Sequence, residues 1–152
     1  MQLLLNIALL LRRAYWWLVR PTTRGARAIV VNSADAVLLV RHNYGQGWFL
    51  PGGRVRSGEE VEDALTRELF EEVGITNPSP IEKLGEYVST QEYKTDTIFV
   101  FVVRSFSLQD RGNAEIREWA FFAQDALPAD VSPGTRRRID EWRGRAPITG
   151  RW

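Results

Sequence analysis

The chain has 152 residues, a net charge of +1 and a composition typical of one globular domain, with 44% hydrophobic and 26% charged residues. It contains no cysteine, which excludes disulfide bonds, thiolate zinc sites and a cysteine nucleophile, and which fits a reducing cytoplasm. Residues 1–34 contain five arginines and no acid, whereas the remainder contains 15 basic and 19 acidic residues, so the first segment is expected to have a role of its own.

The first predicted element is a helix over residues 1–20. Its aliphatic run, Ile7 to Leu11, is far shorter than the roughly 20 residues that a membrane span needs. No secretory signal is expected, because no positive charge precedes the run and no small-residue cleavage site follows it. Three interpretations stay open: a helix packed on its own domain or on a second subunit of a homodimer, a peripheral membrane helix, and a short transmembrane anchor. The second rests on residues that favour membrane interfaces: Arg12, Arg13, Tyr15, Trp16, Trp17 and Arg20.

The later elements are predicted from apolar runs, turn residues and helical periodicity. Pro21 ends the first helix, and residues 21–25 are expected to form a short connector. A hairpin-like turn is expected at residues 33–35, and Gly74 ends the second helix. In chain order, strands are predicted at 27–32, 37–41, 48–50, 81–93, 95–106 and 119–122, and helices at 59–73 and 135–145. This pattern indicates a mixed α/β domain over residues 25–152, preceded by an amphipathic helix and connector at 1–24.

The predicted helix at 59–73 has an acidic edge. On a wheel of about 100° per residue, its buried face contains four aliphatic residues: Val61, Leu65, Leu69 and Val73. Glu68, Glu71 and Glu72 fall beside that face, at the border between core and solvent. Like charges at these spacings repel by roughly 0.2–0.5 kcal/mol per pair, and a hard divalent cation such as Mg²⁺ would offset that cost. A solvated acidic face is the alternative.

A sharp turn precedes this helix. Pro51, Gly52 and Gly53 end a strand, so the backbone there can approach a ligand closely. Ser57 or Gly58 is expected near the N-cap of the helix. A tight loop without a ligand is the alternative, but the turn brings carbonyl oxygens beside the helix that carries the glutamates.

The segment from Gly53 to Ile75 resembles the Nudix signature, G-x5-E-x7-R-E-U-x-E-E-x-G-U, in which U is a bulky aliphatic residue. Every fixed position matches: Gly53, Glu59, Arg67, Glu68, Leu69, Glu71, Glu72, Gly74 and Ile75. Nine specified positions at fixed spacing make chance agreement very rare, and the strand order extends the resemblance over residues 25–145. The resemblance implies a Nudix-type α/β/α sandwich with a mixed central sheet, to which residues 1–20 add a helix.

The resemblance also implies an activity: hydrolysis of a pyrophosphate bond in a nucleoside diphosphate linked to another moiety. The cofactor would be Mg²⁺ or Mn²⁺, which bridges pyrophosphate oxygens, activates water and screens the leaving phosphate. The partner would be a small-molecule nucleotide, and no nucleic-acid partner is expected. The residues carried over by position are the metal ligands Glu68, Glu71, Glu72 and the Gly52 carbonyl, with Arg67 and Glu59 in support.

The general base is expected in the loop before the last strand, where many members of the family have a glutamate. Glu115 lies four residues before Trp119 and is our choice, with Glu118 as its rival. A solvated loop carboxylate is the alternative for Glu115. In other members a glutamate of the signature is the base, which would give that role to Glu71 or Glu72.

Three side chains outside the signature are candidate substrate contacts. Arg41 ends a predicted strand and could contact phosphate, although an exposed strand-end arginine is the alternative. Trp48 and its neighbour Phe49 point in opposite directions, so one is expected in the core and the other could stack on a base. Tyr93 lies 18 residues after Ile75, a spacing that resembles diadenosine polyphosphate hydrolases.

Other functions stay open at this level. A catalytically silent nucleotide-binding module of the same family is one, and a membrane-surface or assembly protein with a secondary hydrolase activity is another. The protein is expected in the cytoplasm, either free or at a membrane surface. The single histidine, His42, is expected to be structural or exposed rather than catalytic.

Overall fold

The computed structural model describes residues 2–91, 93–112 and 114–152, without the side chains of residues 2–6, 8, 9, 13, 16 and 91. The side chains of Arg13 and Trp16, expected at a membrane interface, therefore lie outside the described residues. The elements in chain order are α1 (Gln2–Val19), β1 (Thr22–Val30), β2 (Val37–His42), β3 (Gly52–Arg54), α2 (Val61–Val73), β4 (Ile75–Gln91), β5 (Lys94–Leu108), β6 (Ile116–Phe122) and α3 (Pro133–Trp142).

The strands form two sheets. The larger has the order β3-β1-β5-β4 and is mixed, because β1 runs parallel to β5 and antiparallel to β3, while β4 and β5 form an antiparallel pair. The smaller sheet pairs β2 with β6 in antiparallel orientation.

Both faces of the larger sheet are buried, because alternate residues of a strand point to opposite sides. Ala28 and Val30 of β1 belong to the same core cluster as Leu65 of α2. Ile29, between them, belongs to a second cluster that contains Ile139 of α3. The sheet is thus covered by one helix on each side, and the predicted α/β/α sandwich with a mixed sheet and an additional N-terminal helix is confirmed.

Helix α2 buries its predicted face, with Leu65, Leu69 and Val73 buried and Val61 partly buried. It ends as predicted at Gly74, whose φ of 73° is in the left-handed region that glycine adopts at low cost.

The predicted start of α2 is wrong by two residues. The N-cap is Glu60, which makes no side-chain capping bond, rather than Ser57 or Gly58. The reason is that Glu59 is held outside the helix: its carboxylate accepts hydrogen bonds from the Arg56 amide and from the guanidinium of Arg67.

The strand predicted at 48–50 is wrong, because Trp48 and Phe49 form only isolated bridges. The strand β3 begins instead at Gly52, in the segment expected to be a turn, since its backbone pairs with that of β1. Other boundaries also differ from the prediction. Residues 22–25 are not a connector, because β1 begins at Thr22 and its backbone pairs with that of Thr95 onwards in β5. The turn at 33–35 does not join a hairpin, since β1 and β2 diverge into separate sheets after one bridge between Val31 and Val37. Strand β4 begins at Ile75, directly after α2, rather than at Ile81.

Helix α1 confirms the predicted helix at the N-terminus, and its described side chains lie in solvent. Its large apolar residues with described side chains are 44–75% exposed: Ile7, Leu10, Leu11, Tyr15, Trp17, Leu18 and Val19. Packing of α1 on its own domain is therefore not seen at these positions. Within the described part of the chain, no helix is long and apolar enough to cross a membrane.

Candidate active site

A cleft of about 510 Å³ opens where β1, β3 and α2 meet. Its volume is in the range of small-molecule sites. It is lined by Arg27, His42, Tyr44, Gly45, Phe49, Gly52, Gly53, Arg54, Glu68, Glu72 and Glu115. A second cleft of about 330 Å³ is lined by Glu71, Arg111, Gly112 and Ala114 together with Glu68, Glu72 and Glu115. The last three carboxylates line both clefts and therefore lie at their common boundary.

Glu72 is the buried carboxylate of this boundary, with 6% of its surface exposed. Its Oε2 accepts a hydrogen bond of 2.8 Å from the backbone amide of Gly52. Burial raises the pKa of Glu72 to about 7, and the charges of Glu68 and Glu115 act in the same direction. The Gly52 amide and Arg27 oppose this rise without cancelling it. An ionised Glu72 is therefore costly in the absence of further positive charge.

Two glycines let the backbone approach these carboxylates. Gly52 has a φ of 130°, and a Cβ there would overlap the carbonyl of Ala26. A Cβ at Gly53 would occupy the space of the Glu68 carboxylate. Antiparallel pairing of β3 with β1 fixes this geometry, because Gly53 pairs with Ala26. Only glycine fits at these two positions with the glutamates where they are.

The guanidinium of Arg67 donates hydrogen bonds to three glutamates and to one backbone carbonyl. Its Nε and Nη2 donate to the Glu59 carboxylate at 2.8 and 3.0 Å, and Nη1 donates to Glu68 at 2.6 Å and to Glu71 at 3.3 Å. Nη2 also donates to the carbonyl of Arg54 at 3.0 Å. The hydrogen bonds from Arg67 hold the pKa of Glu59 at about 2, so this carboxylate is ionised at neutral pH. The network joins β3, the loop before α2 and the acidic edge of α2.

Glu71 lies on the outer side of this network. Its side chain is 42% exposed and pairs with Arg67 at 3.3 Å and with Arg56 at 3.8 Å. Across residues 2–91, 93–112 and 114–152, no three Asp, Glu or His side chains converge on one point in the way a metal centre requires. Arg67 binds Glu68 and Glu71, while the Gly52 amide binds Glu72, and the role of these three glutamates as metal ligands stays a prediction.

The donor set nevertheless suits a hard divalent cation. Glu68, Glu72 and Glu115 offer only oxygen atoms, which Mg²⁺ and Mn²⁺ accept. Burial raises the pKa of Glu72, and positive charge added beside this carboxylate would favour its charged form. A bound divalent cation would accept these oxygen donors and would supply positive charge beside Glu72.

Arg27 lines the cleft and was not predicted as a site residue. It lowers the pKa of Glu72, and together with the larger effect of burial it lowers the pKa of His42. The available signal was an arginine within a β-branched strand that is otherwise buried, where an isolated charge is unusual. Arg54, at the end of β3, is the second cation of the cleft.

Aromatic rings also line the cleft. Phe49 lines the cleft, and the ring of His42 lies between Phe49 and Tyr44, with centroid distances of 5.9 and 5.1 Å. Trp48 is instead a core residue, 6% exposed, with the guanidinium of Arg41 at 4.6 Å from its ring. The sequence left open which of the two neighbours would be buried, and Phe49 rather than Trp48 is the one at the cleft.

The remaining predicted residues divide in two groups. Glu115 lies at the cleft, whereas its rival Glu118 is turned away and pairs with Arg41 at 3.1 Å. Arg41 also forms an ion pair with Asp130 at 2.8 Å, so its guanidinium is engaged on the face of β2 that points away from the cleft. Tyr93 lies in the turn between β4 and β5, 48% exposed. Arg41, Trp48 and Tyr93 therefore do not line the cleft, and their predicted substrate contacts find no support in this geometry.

Known proteins resemble this chain in sequence and in fold. Residues 21–142 match the family model described as the NUDIX domain. A protein of Bacillus subtilis (strain 168) with the name "Putative 8-oxo-dGTP diphosphatase" is 30% identical over 125 residues, which are 82% of each chain. An RNA pyrophosphohydrolase of Sodalis glossinidius is 45% identical over 49 residues, 32% of this chain and 28% of that one. A crystal structure of a MutT NUDIX hydrolase from Burkholderia pseudomallei has a TM-score of 0.70 at 26% identity and covers 79% of this chain and 97% of its own.

Proposed function

Because this chain belongs to the Nudix family, we propose that it is a divalent-metal-dependent pyrophosphohydrolase and that its substrate is a nucleoside triphosphate. The observation that carries the proposal is Glu72, a buried carboxylate between Glu68 and Glu115 at the edge of a nucleotide-sized cleft. The triphosphate is favoured by the Bacillus subtilis relative, whose name specifies a deoxynucleoside triphosphate and whose match covers 82% of each chain.

Mg²⁺ or Mn²⁺ would be held by Glu68 and Glu72, with Glu71 and the Gly52 carbonyl completing the protein ligands. When bound, the ion supplies positive charge that screens the pyrophosphate oxygens and acidifies the attacking water. Glu71 would need to exchange its ion pair with Arg67 for the cation. The charge on Glu72 that burial disfavours would then be compensated.

The lining of the cleft contains groups that suit both parts of a nucleotide. Arg27 and Arg54 provide cations for the phosphates, and arginine binds phosphate oxygens through two N–H groups at once. Phe49 and Tyr44 provide aromatic faces on which a base can stack. The phosphates would then lie between the arginines and the carboxylate edge of α2.

Glu115 is the proposed general base. The oxygen of water forms a bond to one phosphorus, the bridging P–O bond of the anhydride breaks with its electron pair on the leaving phosphate, and the proton of water passes to the carboxylate of Glu115. Glu115 precedes β6 and lines both clefts, whereas Glu118 is engaged by Arg41. The alternative base is a glutamate of the signature, Glu71 or Glu72.

Arg67 acts as a positioning residue. Its bonds to Glu59, Glu68 and the Arg54 carbonyl hold the acidic edge of α2 against β3. A rigid frame of this kind keeps the reacting groups aligned, which is the main contribution of a protein to phosphoryl transfer.

The test is a panel of nucleoside triphosphates, sugar nucleotides and dinucleotides with Mg²⁺ or Mn²⁺, read as nucleoside monophosphate release by ion-exchange chromatography. We expect turnover of triphosphates and a loss of roughly 100-fold or more in Glu72→Gln. Glu62→Gln is the matched control, because Glu62 is an exposed carboxylate on the same helix. Absence of turnover across the panel, or equal rates in Glu72→Gln and wild type, would contradict the proposal. Binding without turnover would instead favour a silent nucleotide-binding module.

A further inference from the structure

Helix α1 has a broad apolar face. On a wheel of about 100° per residue, eleven apolar residues fill a continuous arc of roughly 200° that runs from Trp17 through Leu18 to Val19, and Leu5, Leu9 and Trp16 fall outside it. Ile7, Leu11 and Leu18 lie near the centre of that arc, and Leu10 and Tyr15 lie towards its two sides. An arc of this width is typical of a helix that buries one side against an apolar phase.

This face has no cover within the described residues. Leu18, Leu11 and Leu10 are 75, 66 and 65% exposed, and Trp17 is 57% exposed. Scattered apolar residues are normal on a protein surface, but a contiguous patch of this kind marks an interaction site. Burial of these side chains is a favourable free energy that the isolated chain does not realise.

The positive charge of this segment indicates which partner covers the apolar face of α1. Residues 1–34 contain five arginines and no acid, and Arg12, Arg20 and Arg24 are exposed. A second copy of α1 would bring like charges together, whereas anionic lipid headgroups would neutralise them. Tyr15 and Trp17 lie at the end of the helix next to Arg20, and aromatic rings with arginines are the residues that favour the headgroup layer.

We propose that α1 lies in the plane of an anionic lipid surface, with its apolar face among the acyl chains and its arginines at the headgroups. Arg12, in the second half of the helix, favours this orientation over a spanning one, because it would otherwise enter the hydrocarbon layer. Since β1 follows α1 after two residues, the hydrolase domain would be held at that surface.

The experiment is flotation of the full chain with vesicles of phosphatidylcholine, and with vesicles that also contain about 30% phosphatidylglycerol. The test variant is L11E/L18E, which places two charges at the centre of the apolar face. The matched control is L108E/I148E, which makes the same changes at exposed aliphatic residues of the domain, 46 and 52% exposed. Circular dichroism and thermal unfolding of each protein verify that the domain is folded, independently of enzymatic activity.

We expect the wild type and L108E/I148E to float with anionic vesicles and to bind neutral vesicles roughly tenfold more weakly. L11E/L18E should lose binding to anionic vesicles by about tenfold or more, and salt should weaken the binding of the wild type.

Three outcomes would overturn the proposal. The first is that the wild type floats with neither vesicle. The second is that L11E/L18E binds as the wild type does. The third is a wild-type molar mass of a dimer by light scattering that falls to a monomer in L11E/L18E, without vesicle binding, which would assign the face to a second copy.

Discussion

Substitution of Glu72 by glutamine separates the stability of the domain from its activity. The amide oxygen of glutamine can still accept the hydrogen bond from the Gly52 backbone, so the packing of α2 on the turn is preserved. What the substitution removes is a carboxylate that is 6% exposed and therefore costly to ionise.

The size of this cost follows from the pKa of Glu72, which burial raises from 4.5 to about 7. This difference in pKa corresponds to about 3 kcal/mol in the free energy of unfolding. Below pH 4.5 the carboxyl is protonated in both the folded and the unfolded chain, and the folded chain loses nothing. As pH rises from 4.5 through 7, Glu72 ionises first in the unfolded chain. The free energy of unfolding therefore falls progressively over this range, and the full loss is reached above pH 7. Glutamine does not ionise and avoids the loss.

Urea unfolding in EDTA measures the effect. We expect Glu72→Gln to be more stable than the wild type by about 3 kcal/mol near pH 8, and equal to it near pH 4. Mg²⁺ should stabilise the wild type near pH 8 and have little effect on the variant. Glu62→Gln, which changes an exposed carboxylate on the same helix, is the matched control. A variant that is less stable than the wild type near pH 8, or a difference that is the same at both pH values, would refute this reasoning.

Other substitutions test the remaining parts of the site. Arg67→Lys keeps the positive charge but removes the guanidinium that binds three carboxylates. The free energy of unfolding should fall by about 1–2 kcal/mol, and kcat/KM should fall by roughly tenfold. An unchanged urea unfolding curve would contradict this prediction. Gly53→Ala places a methyl group on the Glu68 carboxylate, and hydrolysis should fall by roughly tenfold or more with an unchanged circular dichroism spectrum. Glu115→Gln should lower kcat by about 100-fold with little change in KM, whereas Glu118→Gln should retain the rate of the wild type. Equal effects of the two substitutions would refute the choice of base.

The acidic helix was the most predictable part of the fold. Its 3.6-residue periodicity, the glycine at its end and the aliphatic positions Leu65, Leu69 and Val73 are local features, and all three residues are buried. The position of its first turn was not predictable, because Glu59 is held by Arg67, eight residues further along the chain. A capping pattern alone does not reveal a competing contact at that distance.

Strand pairing was less accessible from sequence. The parallel pairing of β1 with β5 joins residues more than seventy positions apart, and it extends β1 back to Thr22 through a segment with connector-like composition. Arg27 reaches the cleft because of that pairing and of the antiparallel pairing with Gly52. Likewise, alternation along the chain showed that Trp48 and Phe49 point in opposite directions, but only the packing of the second core decides that Trp48 is buried.

The last helix shows a different limit. Residues 135–145 read as a basic amphipathic helix, yet Arg138 is fully buried. Its guanidinium donates to Glu141 at 2.9 Å and to the Arg151 carbonyl at 2.7 Å, and it lies 3.8 Å from the ring centroid of Tyr87. A charge pattern identifies the polar face of a helix but not a partner that comes from β4 or from the end of the chain.

Metal-dependent catalysis at Glu72 is tested most directly by steady-state hydrolysis of nucleoside triphosphates by the wild type and Glu72→Gln, each in EDTA and in Mg²⁺. We expect rapid monophosphate release by the wild type in Mg²⁺, a rate lower by roughly 100-fold or more for the variant in Mg²⁺, and no release by either protein in EDTA. Hydrolysis that persists in EDTA, or a variant as fast as the wild type in Mg²⁺, would contradict the assignment of this carboxylate edge as a metal-dependent catalytic centre.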